Sequence, residues 1–444
     1  MMDRNKIPPH PTFAHALVVW VKIGLLSFGG PAGQIALMHT LLVDKLKWIS
    51  NRRFLHALNY CMLLPGPEAQ QTAIYTGWLL HGIKGGIAAG FLFVVPGALL
   101  MLAISYIYVM YGAVPFMAAV FYGLKSAVMA IVAGAVIRIG TKVLKRPVLW
   151  FVSAVSFIAI FFLGIPFPVI VLSALAIGMI WGNRMSISTP VDHNNPTMEN
   201  DRDDRYVISD NGTSRIPRPT AMRTALTAFL WTGIWLAPLL ICLLILGFDH
   251  TLSLQGLFFS KAALVTFGGA YAVLPYVAQH AVEVREWLSP VDMMAGLGLA
   301  ETTPGPLILV LQFVGFMGGW NHPMTFSPLV TAMLASFIAS WAVFMPGCLF
   351  IFTGAPYIEQ AHGNARWSNA LTVVTAAVVG VILNLAVWFA LNAISAGADR
   401  LDWIPLFAAI AFFYVQYRWK WGVLSIVASG ALLGISLYLL GLIS

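Results

Sequence analysis

The sequence predicts an all-α polytopic membrane protein built from two homologous halves. Three observations predict this class: the apolar composition, the long uninterrupted apolar segments and an internal repeat. The chain has 444 residues, of which 59% are hydrophobic and only 9% are charged, and its mean hydropathy is +0.83. Because soluble domains carry about 25% charged residues, this composition excludes an ordinary soluble enzyme and a disordered chain.

The apolar segments are continuous, whereas the strands of a membrane barrel would alternate in polarity over about ten residues. We therefore expect helices, about thirteen of them if each segment crosses the bilayer once. The segments fall near residues 12–37, 52–80, 85–111, 115–140, 148–164, 166–182, 223–247, 252–280, 291–320, 327–355, 367–394, 402–417 and 420–441.

The polar stretch 183–222 interrupts this pattern, since it holds 11 of the 42 charged residues. Such a composition predicts a solvated, flexible linker. The linker divides the chain into a first repeat, residues 1–182, and a second repeat, residues 223–444. We expect the linker to be cytoplasmic.

The net charge and the cysteines limit which binding partners and cofactors the sequence predicts. The net charge of +8 is spread along the chain, so we expect no nucleic-acid partner. The three cysteines and ten histidines show no ligand spacing, and we therefore expect neither a metal nor a cofactor. The lipid bilayer is the partner that the composition predicts, and a homodimer stays an open alternative.

The two halves repeat at a constant offset of 239 residues. The segment from Lys22 to Pro67 aligns without a gap with the segment from Lys261 to Pro306. Repeats with broken helices at matching positions are typical of secondary transporters and mark their binding sites. The matched pairs include Lys22 and Lys261, Ser27 and Thr266, Phe28-Gly29-Gly30 and Phe267-Gly268-Gly269, and Pro65-Gly66-Pro67 and Pro304-Gly305-Pro306.

Two motifs of the first half carry a family resemblance. They are the run from Phe28 to Gln34, F-G-G-P-x-x-Q, and the run from Pro65 to Gln70 that begins P-G-P-E. With their weaker copies in the second half, they resemble the chromate ion transporter family in its long two-domain form. The resemblance implies an inner-membrane carrier that exports chromate, a relative of sulfate, and confers chromate resistance. It also implies inverted halves with about thirteen spans.

The distribution of Lys and Arg does not fix the topology. An arrangement with thirteen crossings and a cytoplasmic N-terminus places as many basic residues inside as one with eleven crossings, re-entrant PGP hairpins and an external N-terminus. We expect the first arrangement, on the strength of the resemblance. The PGP segments are therefore expected to be broken spans, with re-entrant hairpins as the alternative.

The PGP motifs break their helices near the bilayer centre. Proline removes an N–H donor and glycine permits unusual dihedral angles, so each flank of about thirteen apolar residues is a half-helix too short to span. The half-helix after the break presents free N–H groups and a positive dipole end, which suit an oxyanion. A simple kink is the alternative reading of one such motif.

The FGG turns and two intramembrane lysines complete the predicted oxyanion site, with snorkelling towards a lipid headgroup as the alternative for Lys22. Paired glycines can form a nest of N–H groups, although close helix packing explains them equally well. A lysine inside an apolar run needs a reason to be retained, and it can bind a dianion. The predicted substrate-binding residues are Lys22, Ser27, Phe28, Gly29, Gly30, Gln34, Pro65, Gly66, Pro67, Gln70, Lys261, Thr266, Gly268, Gly269, Pro304, Gly305 and Pro306.

Glu68 and Glu301 are the acidic residues deep in apolar sequence, and both flank a PGP motif. A carboxylate repels a dianion unless it is protonated or paired. We therefore predict that both residues couple proton movement to transport, with ion pairing or helix capping as the alternative.

Other functions fit the sequence less well. A transporter of sulfate or another oxyanion is the nearest alternative. A membrane-embedded enzyme acting on lipids would need a catalytic motif, and the chain has neither HExxH nor GxSxG. We therefore expect a transporter that is not an enzyme.

Overall fold

The computed structural model describes residues 9–28, 30–112, 114–181, 206–209, 220–267, 269–358, 365–394 and 402–442. In these residues the chain is helical apart from short connections and one isolated bridge between Ile49 and Ile208. The expectation of an all-α membrane protein is confirmed at this level.

The first half contains seven helices in its described residues. They are α1 (Phe13–Leu26), α2 (Gly30–His39), α3 (Asn51–Cys61), α4 (Glu68–Tyr111), α5 (Pro115–Val143), α6 (Pro147–Phe161) and α7 (Phe167–Trp181). A π-helical turn at Thr40–Lys45 extends α2.

The second half repeats this order behind one additional long helix. Its helices are α8 (Ala221–Leu246), α9 (Thr251–Val265), α10 (Ala270–Ala278), α11 (Pro290–Thr302), α12 (Val310–Asn321), α13 (Pro328–Ile358), α14 (Ala365–Ile394), α15 (Ile404–Trp419) and α16 (Val423–Leu439). A second π-helical turn, Gln279–Val284, follows α10 at the position that matches the first.

The FGG motifs lie at the tips of helical hairpins. His15 at the start of α1 packs edge-on against Trp48, with ring centroids 5.3 Å apart. In the second half Phe258 of α9 stacks on His280, with ring centroids 4.0 Å apart. Because residues so far apart in sequence touch, the chain reverses at each FGG motif and its two arms lie side by side.

The PGP motifs form hairpin tips in the same way. Tyr60 of α3 packs against Tyr75 of α4, with ring centroids 6.0 Å apart. Gly296 of α11 lies directly against the ring of Phe313 in α12. The half-helices predicted on each side of PGP are therefore present, but they fold back on each other, which is the hairpin alternative rather than the broken span.

Helix α4 reverses direction once more. His81 and Gly82 leave helical geometry, with φ +63° at Gly82. Gly77 then packs directly on Gly85, so residues 68–80 and 83–111 are antiparallel arms. The long arm 83–111 is about 43 Å in length at 1.5 Å per residue, which is enough to cross a bilayer.

Each hairpin has a base, the open end opposite its FGG or PGP tip. The hairpin bases of the first half lie at one end of this long arm, and those of the second half lie at the other end. At its start, His81 Nε2 is 2.9 Å from the Pro11 carbonyl, beside the base of the first FGG hairpin. Near its end, the Tyr108 hydroxyl donates to Asp292 Oδ1 at 2.6 Å, at the base of the second PGP hairpin.

Two long helices hold the halves together. Helix α5 packs against α14, and each of them also packs against the last two helices of the other half. Close approaches of small residues make this possible, because Gly123 of α5 lies directly against Gly430 and Gly434 of α16. The core therefore belongs to both halves and not to either one alone.

Five described helices are long and apolar enough to cross a membrane: α4, α5, α8, α13 and the described part of α14. The thirteen crossings expected from the sequence are not confirmed, because the arms of the four hairpins are short and paired. Of the predicted linker, residues 206–209 and 220–222 are described, and the last two already belong to α8. Residues 206–209 lie along residues 47–50, where the Ser50 amide donates to the Ile208 carbonyl at 3.1 Å.

Candidate functional site

The hairpin tips of the two halves meet in the interior and pair reciprocally. The Gly66 amide donates to the Thr266 carbonyl at 2.8 Å, and the Gly305 amide donates to the Ser27 carbonyl at 2.8 Å. Gly66 matches Gly305 and Ser27 matches Thr266 at the repeat offset of 239 residues, so the two hydrogen bonds are equivalent. Each PGP tip therefore contacts the FGG tip of the opposite half. Reciprocal contacts of this kind are the mark of a two-fold relation.

Glycine is required at the tips by the backbone itself. Gly66 and Gly305 have φ of +112° and +107°, and Gly30 and Gly269 have φ of +73° and +93°. Residues with a Cβ rarely adopt these angles. The four positive angles reverse the chain and start the next helical segment, so that four helix N-termini converge on the centre.

The four convergent helix N-termini present hydrogen-bond donors and partial positive charge at the centre. The first N–H groups of a helix have no partner within it, and they carry partial positive charge. The helices concerned are α2, which starts at Gly30, α4 at Glu68 and α10 at Ala270, together with the helical segment at Leu307. Such an arrangement can bind an anion without a metal.

Side-chain hydroxyls and amides brace these tips. Ser27 and Thr266 are buried and donate their hydroxyls to carbonyls of their own helices, each at 2.6 Å. Gln34 Nε2 donates to the Gly305 carbonyl at 2.6 Å, across the two halves. Gln70 Nε2 donates to the Phe344 carbonyl at 3.3 Å. These predicted residues are therefore brought together at the tips.

The two predicted lysines lie elsewhere on their helices. Lys22 and Lys261 are on the exposed faces of α1 and α9, whereas Ser27 and Thr266 are buried. Phe28 is 37% exposed at the first tip. Gly29 and Gly268 lie outside the described residues. The part these residues have in a binding site stays a prediction.

Both predicted acids lie at the tips. Glu301 is 4% exposed and accepts a short hydrogen bond from the Tyr271 hydroxyl. Glu68 begins α4 directly after the first PGP motif, and its Oε1 faces the backbone of Gly269. Each acid thus lies at the contact between a PGP tip and an FGG tip.

Two basic residues that the sequence does not point to lie on α5 within electrostatic range of these acids. Arg138 lies near Tyr271 and Glu301. Lys142, one turn further along α5, lies on the side of Glu68. The available signal was their spacing, since basic residues four apart on one helix share a face. Lys125, a third basic residue of α5, has its Nζ 5.5 Å from the centroid of the Tyr122 ring.

Comparison with known proteins identifies the family. The family model for chromate transporters matches residues 14–179 and 255–435. A chromate transport protein of Pseudomonas aeruginosa is 28% identical, over 96% of this chain and 93% of its own length. One from Cupriavidus metallidurans is 27% identical, over 97% of this chain and 94% of its own length.

An uncharacterised transporter of Methanocaldococcus jannaschii is 25% identical, over 97% of this chain and 96% of its own length. No solved structure matches the chain. The relatives cover nearly all of the chain, and the family model covers both halves with their hairpin tips. The chain is a multi-pass membrane protein and belongs to the chromate transporter family.

Proposed function

We propose that the protein is a secondary active carrier that exports chromate across the bacterial inner membrane and so confers chromate resistance. The observation that carries this proposal is the reciprocal pairing of PGP and FGG tips, with four helix N-termini at one point. Chromate is a tetrahedral dianion, and convergent N–H groups are the donors it needs. The names of the relatives in Pseudomonas and Cupriavidus support the choice of substrate.

The binding residues are those that the sequence predicts at the tips, supported by their placement. The main chain around Gly30, Gly66, Gly269 and Gly305 supplies N–H groups, while Gln34 fixes one tip to the other. Glu68 and Glu301 are the proton-coupling acids in this proposal, since both lie where the tips meet. The first repeat, residues 1–182, and the second, residues 223–444, rock about this point to alternate access.

In the membrane, we place the four tip hairpins as re-entrant elements and the five long helices as crossings. Three long helices, α4, α5 and α8, separate the two FGG hairpins, and α6 with α7 adds an even number of crossings. The second half is then inverted relative to the first. The contacts of His81 and Tyr108, at opposite ends of the long arm 83–111 of α4, support this.

The basic residues support a cytoplasmic N-terminus in this arrangement. At the end of the molecule where the second-half hairpins have their open ends, Arg285 is the one basic residue in a described connection. Basic residues concentrate on the cytoplasmic side of membrane proteins. The opposite end, where the first-half hairpins have their open ends, carries many more basic residues: Lys45, Lys47, Arg52, Arg53, Lys84, Lys142, Lys145, Arg146 and Arg223.

Sulfate or another oxyanion is the second candidate substrate, because main-chain donors recognise any tetrahedral dianion. A lipid-modifying enzyme is disfavoured by membership of a transporter family.

Chromate uptake into everted membrane vesicles tests the proposal. Energised vesicles are expected to accumulate chromate, to lose it when de-energised, and to show competition by excess sulfate. Absence of uptake above vesicles without the protein contradicts chromate export. Uptake that never exceeds the external concentration contradicts active transport.

A further inference from the structure

We propose that residues 47–50, which join the two hairpins of the first half, form a strand-docking surface, and that the linker segment 206–209 is a releasable strap on that surface. The inference goes beyond the proposed function, in which the linker has no part. It uses the proposed topology only to place the strap on the cytoplasmic side, where the bases of the first-half hairpins lie.

Main-chain hydrogen bonds hold the strap in a parallel bridge. The Val207 amide donates to the Lys47 carbonyl at 3.1 Å, and the Ile208 amide donates to the Trp48 carbonyl at 3.0 Å. The Ser50 amide donates in return to the Ile208 carbonyl at 3.1 Å. Extended peptides dock on exposed main-chain edges through bonds of this kind.

The side chains of the strap add apolar and polar contacts. Tyr206, Val207 and Ile208 are half-buried and pack against the hydrophobic core. Arg53 is buried, and its Nη1 donates to the Ser209 carbonyl at 3.5 Å. All four residues of the strap therefore contact the first half.

The second half contains a connection of the same local shape, residues 286–289. Lys47 and its match Glu286 both have φ of +52°. The amides of Trp48 and of its match Trp287 each donate to the carbonyl six residues earlier, at 2.8 and 2.7 Å. Because the two connections are alike, the partners of their remaining main-chain groups can be compared directly.

In the second half, side chains satisfy the carbonyls whose matches bind the strap in the first. His322 Nε2 donates to the Glu286 carbonyl at 3.1 Å, and Asn321 Nδ2 donates to the Trp287 carbonyl at 2.8 Å. Both donors lie at the end of α12, which is the base of the second PGP hairpin. The connection is therefore tied to a hairpin of its own half.

The amide of the helix-capping serine shows the same difference. Ser289 and Ser50 both cap the following helix with their hydroxyls. In the second half Asp292 closes a capping box, because its Oδ2 accepts from the Ser289 amide at 3.0 Å. Arg53 stands at the matching position in the first half and has no acceptor, so the Ser50 amide donates to the strap instead.

The first half has none of these three side chains at the matching positions. At the offset of 239 residues, Gly82 and Ile83 stand where the second half has Asn321 and His322, and neither has a side-chain donor. The strap therefore takes the place of three side chains, and it supplies their hydrogen bonds from a segment outside both first-half hairpins.

A strap held in this way can be released. One bridge of three main-chain hydrogen bonds is a small interface, and short isolated strand pairs are only marginally stable in water. Such segments open locally without unfolding of the whole protein. Release frees the bases of the first-half hairpins from the linker, whereas the second-half connection stays tied to α12. The cytoplasmic end is thus the end whose opening the linker controls.

Hydrogen exchange in the purified full-length protein tests docking and release without any substrate. The amides of Val207 and Ile208 are expected to exchange at least about tenfold more slowly than in a free peptide of the same sequence, and much faster than amides in the middle of α5. Exchange at the free-peptide rate overturns docking. Exchange as slow as that of α5 overturns release.

A disulfide that locks the strap tests its part in transport. Ile49→Cys with Ile208→Cys joins bridged residues, whose strands lie about 4.8 Å apart, a separation that a disulfide accepts. In everted vesicles that have been oxidised and washed, chromate uptake is expected to fall at least about fivefold. Uptake is expected to return once the disulfide is reduced and the reductant is washed out. The reduced double variant and the oxidised single variants are the matched controls.

The outcomes separate the strap from the proposed function. If vesicles with the parent take up no chromate, the proposed function fails, while hydrogen exchange still decides the strap. If the folded double variant forms no disulfide on oxidation, docking is overturned. If its oxidised form transports as well as its reduced form, control of opening by the strap is overturned.

A second variant decides if the double cysteine variant does not fold. Val207→Pro with Ile208→Pro removes two donors of the strap, and it is expected to speed exchange of the Ser50 amide and to keep chromate uptake. Exchange of Ser50 as slow as in the parent overturns docking. Loss of uptake overturns release as the step that opens the path.

Discussion

Gln34 and Gly305 are 271 residues apart in sequence, yet Gln34 Nε2 donates to the Gly305 carbonyl at 2.6 Å. The bond joins the first half of the chain to the PGP tip of the second. The matching residue in the second half is Val273, which cannot return the bond, so the two-fold relation of the tips is imperfect at this point.

Replacing Gln34 by valine, the residue of the other half, is expected to leave the buried Gly305 carbonyl without this donor. The cost of an unsatisfied buried carbonyl is about 1–3 kcal/mol. We expect a lower melting temperature of the detergent-solubilised protein and slower chromate uptake. Gln34→Met, which keeps about the same size but has no donor, should behave similarly; a parent-like melting temperature in both would contradict the structural role.

The tip glycines give a second prediction. Gly66→Ala and Gly305→Ala force alanine to φ near +112° and +107°, at a cost of about 1–3 kcal/mol each. We expect both variants to insert into the membrane but to lose most transport, because the tip distorts around its paired amide. Gly233→Ala in α8, where an added Cβ meets nothing within 4 Å, is the matched control and should transport normally.

Two variants test the predicted proton-coupling acid Glu68 and the predicted substrate-binding residue Lys22 separately. Glu68→Gln removes an acid that lies at the tip contact, and we expect it to abolish chromate accumulation in energised vesicles while membrane insertion stays intact. Lys22→Ala is expected to abolish it as well if Lys22 belongs to the site. Normal flux in Lys22→Ala would assign this residue, which lies on the exposed face of α1, to packing at the lipid surface instead.

The sequence predicted the repeat and the positions of the breaks, because proline and glycine leave a local signature. It did not distinguish a broken span from a hairpin, since both place about thirteen apolar residues on each side of PGP. The contact of Tyr60 with Tyr75 depends on the angle between the arms, which no local pattern encodes. The sequence does not place Arg138 near the tips for a related reason: Tyr271 and Glu301, the tip residues that it lies near, come from the other half of the chain.

The arrangement of hairpins and crossings can be tested by cysteine labelling at two matched positions. Arg52 and Val291 are 239 residues apart, lie in the first turns of α3 and α11, and are both exposed. With thirteen crossings and a cytoplasmic N-terminus, residue 52 would face outwards and residue 291 inwards. With re-entrant hairpins and the same N-terminus, the sides are exchanged.

A membrane-impermeant maleimide applied to intact cells is therefore expected to label Val291→Cys and not Arg52→Cys, and applied to everted vesicles to show the reverse. The three native cysteines are buried, so the background should be low. Labelling of Arg52→Cys from outside would restore the broken span. Labelling of both positions from one side would reject inversion altogether, because inverted halves must place matched residues on opposite sides of the bilayer.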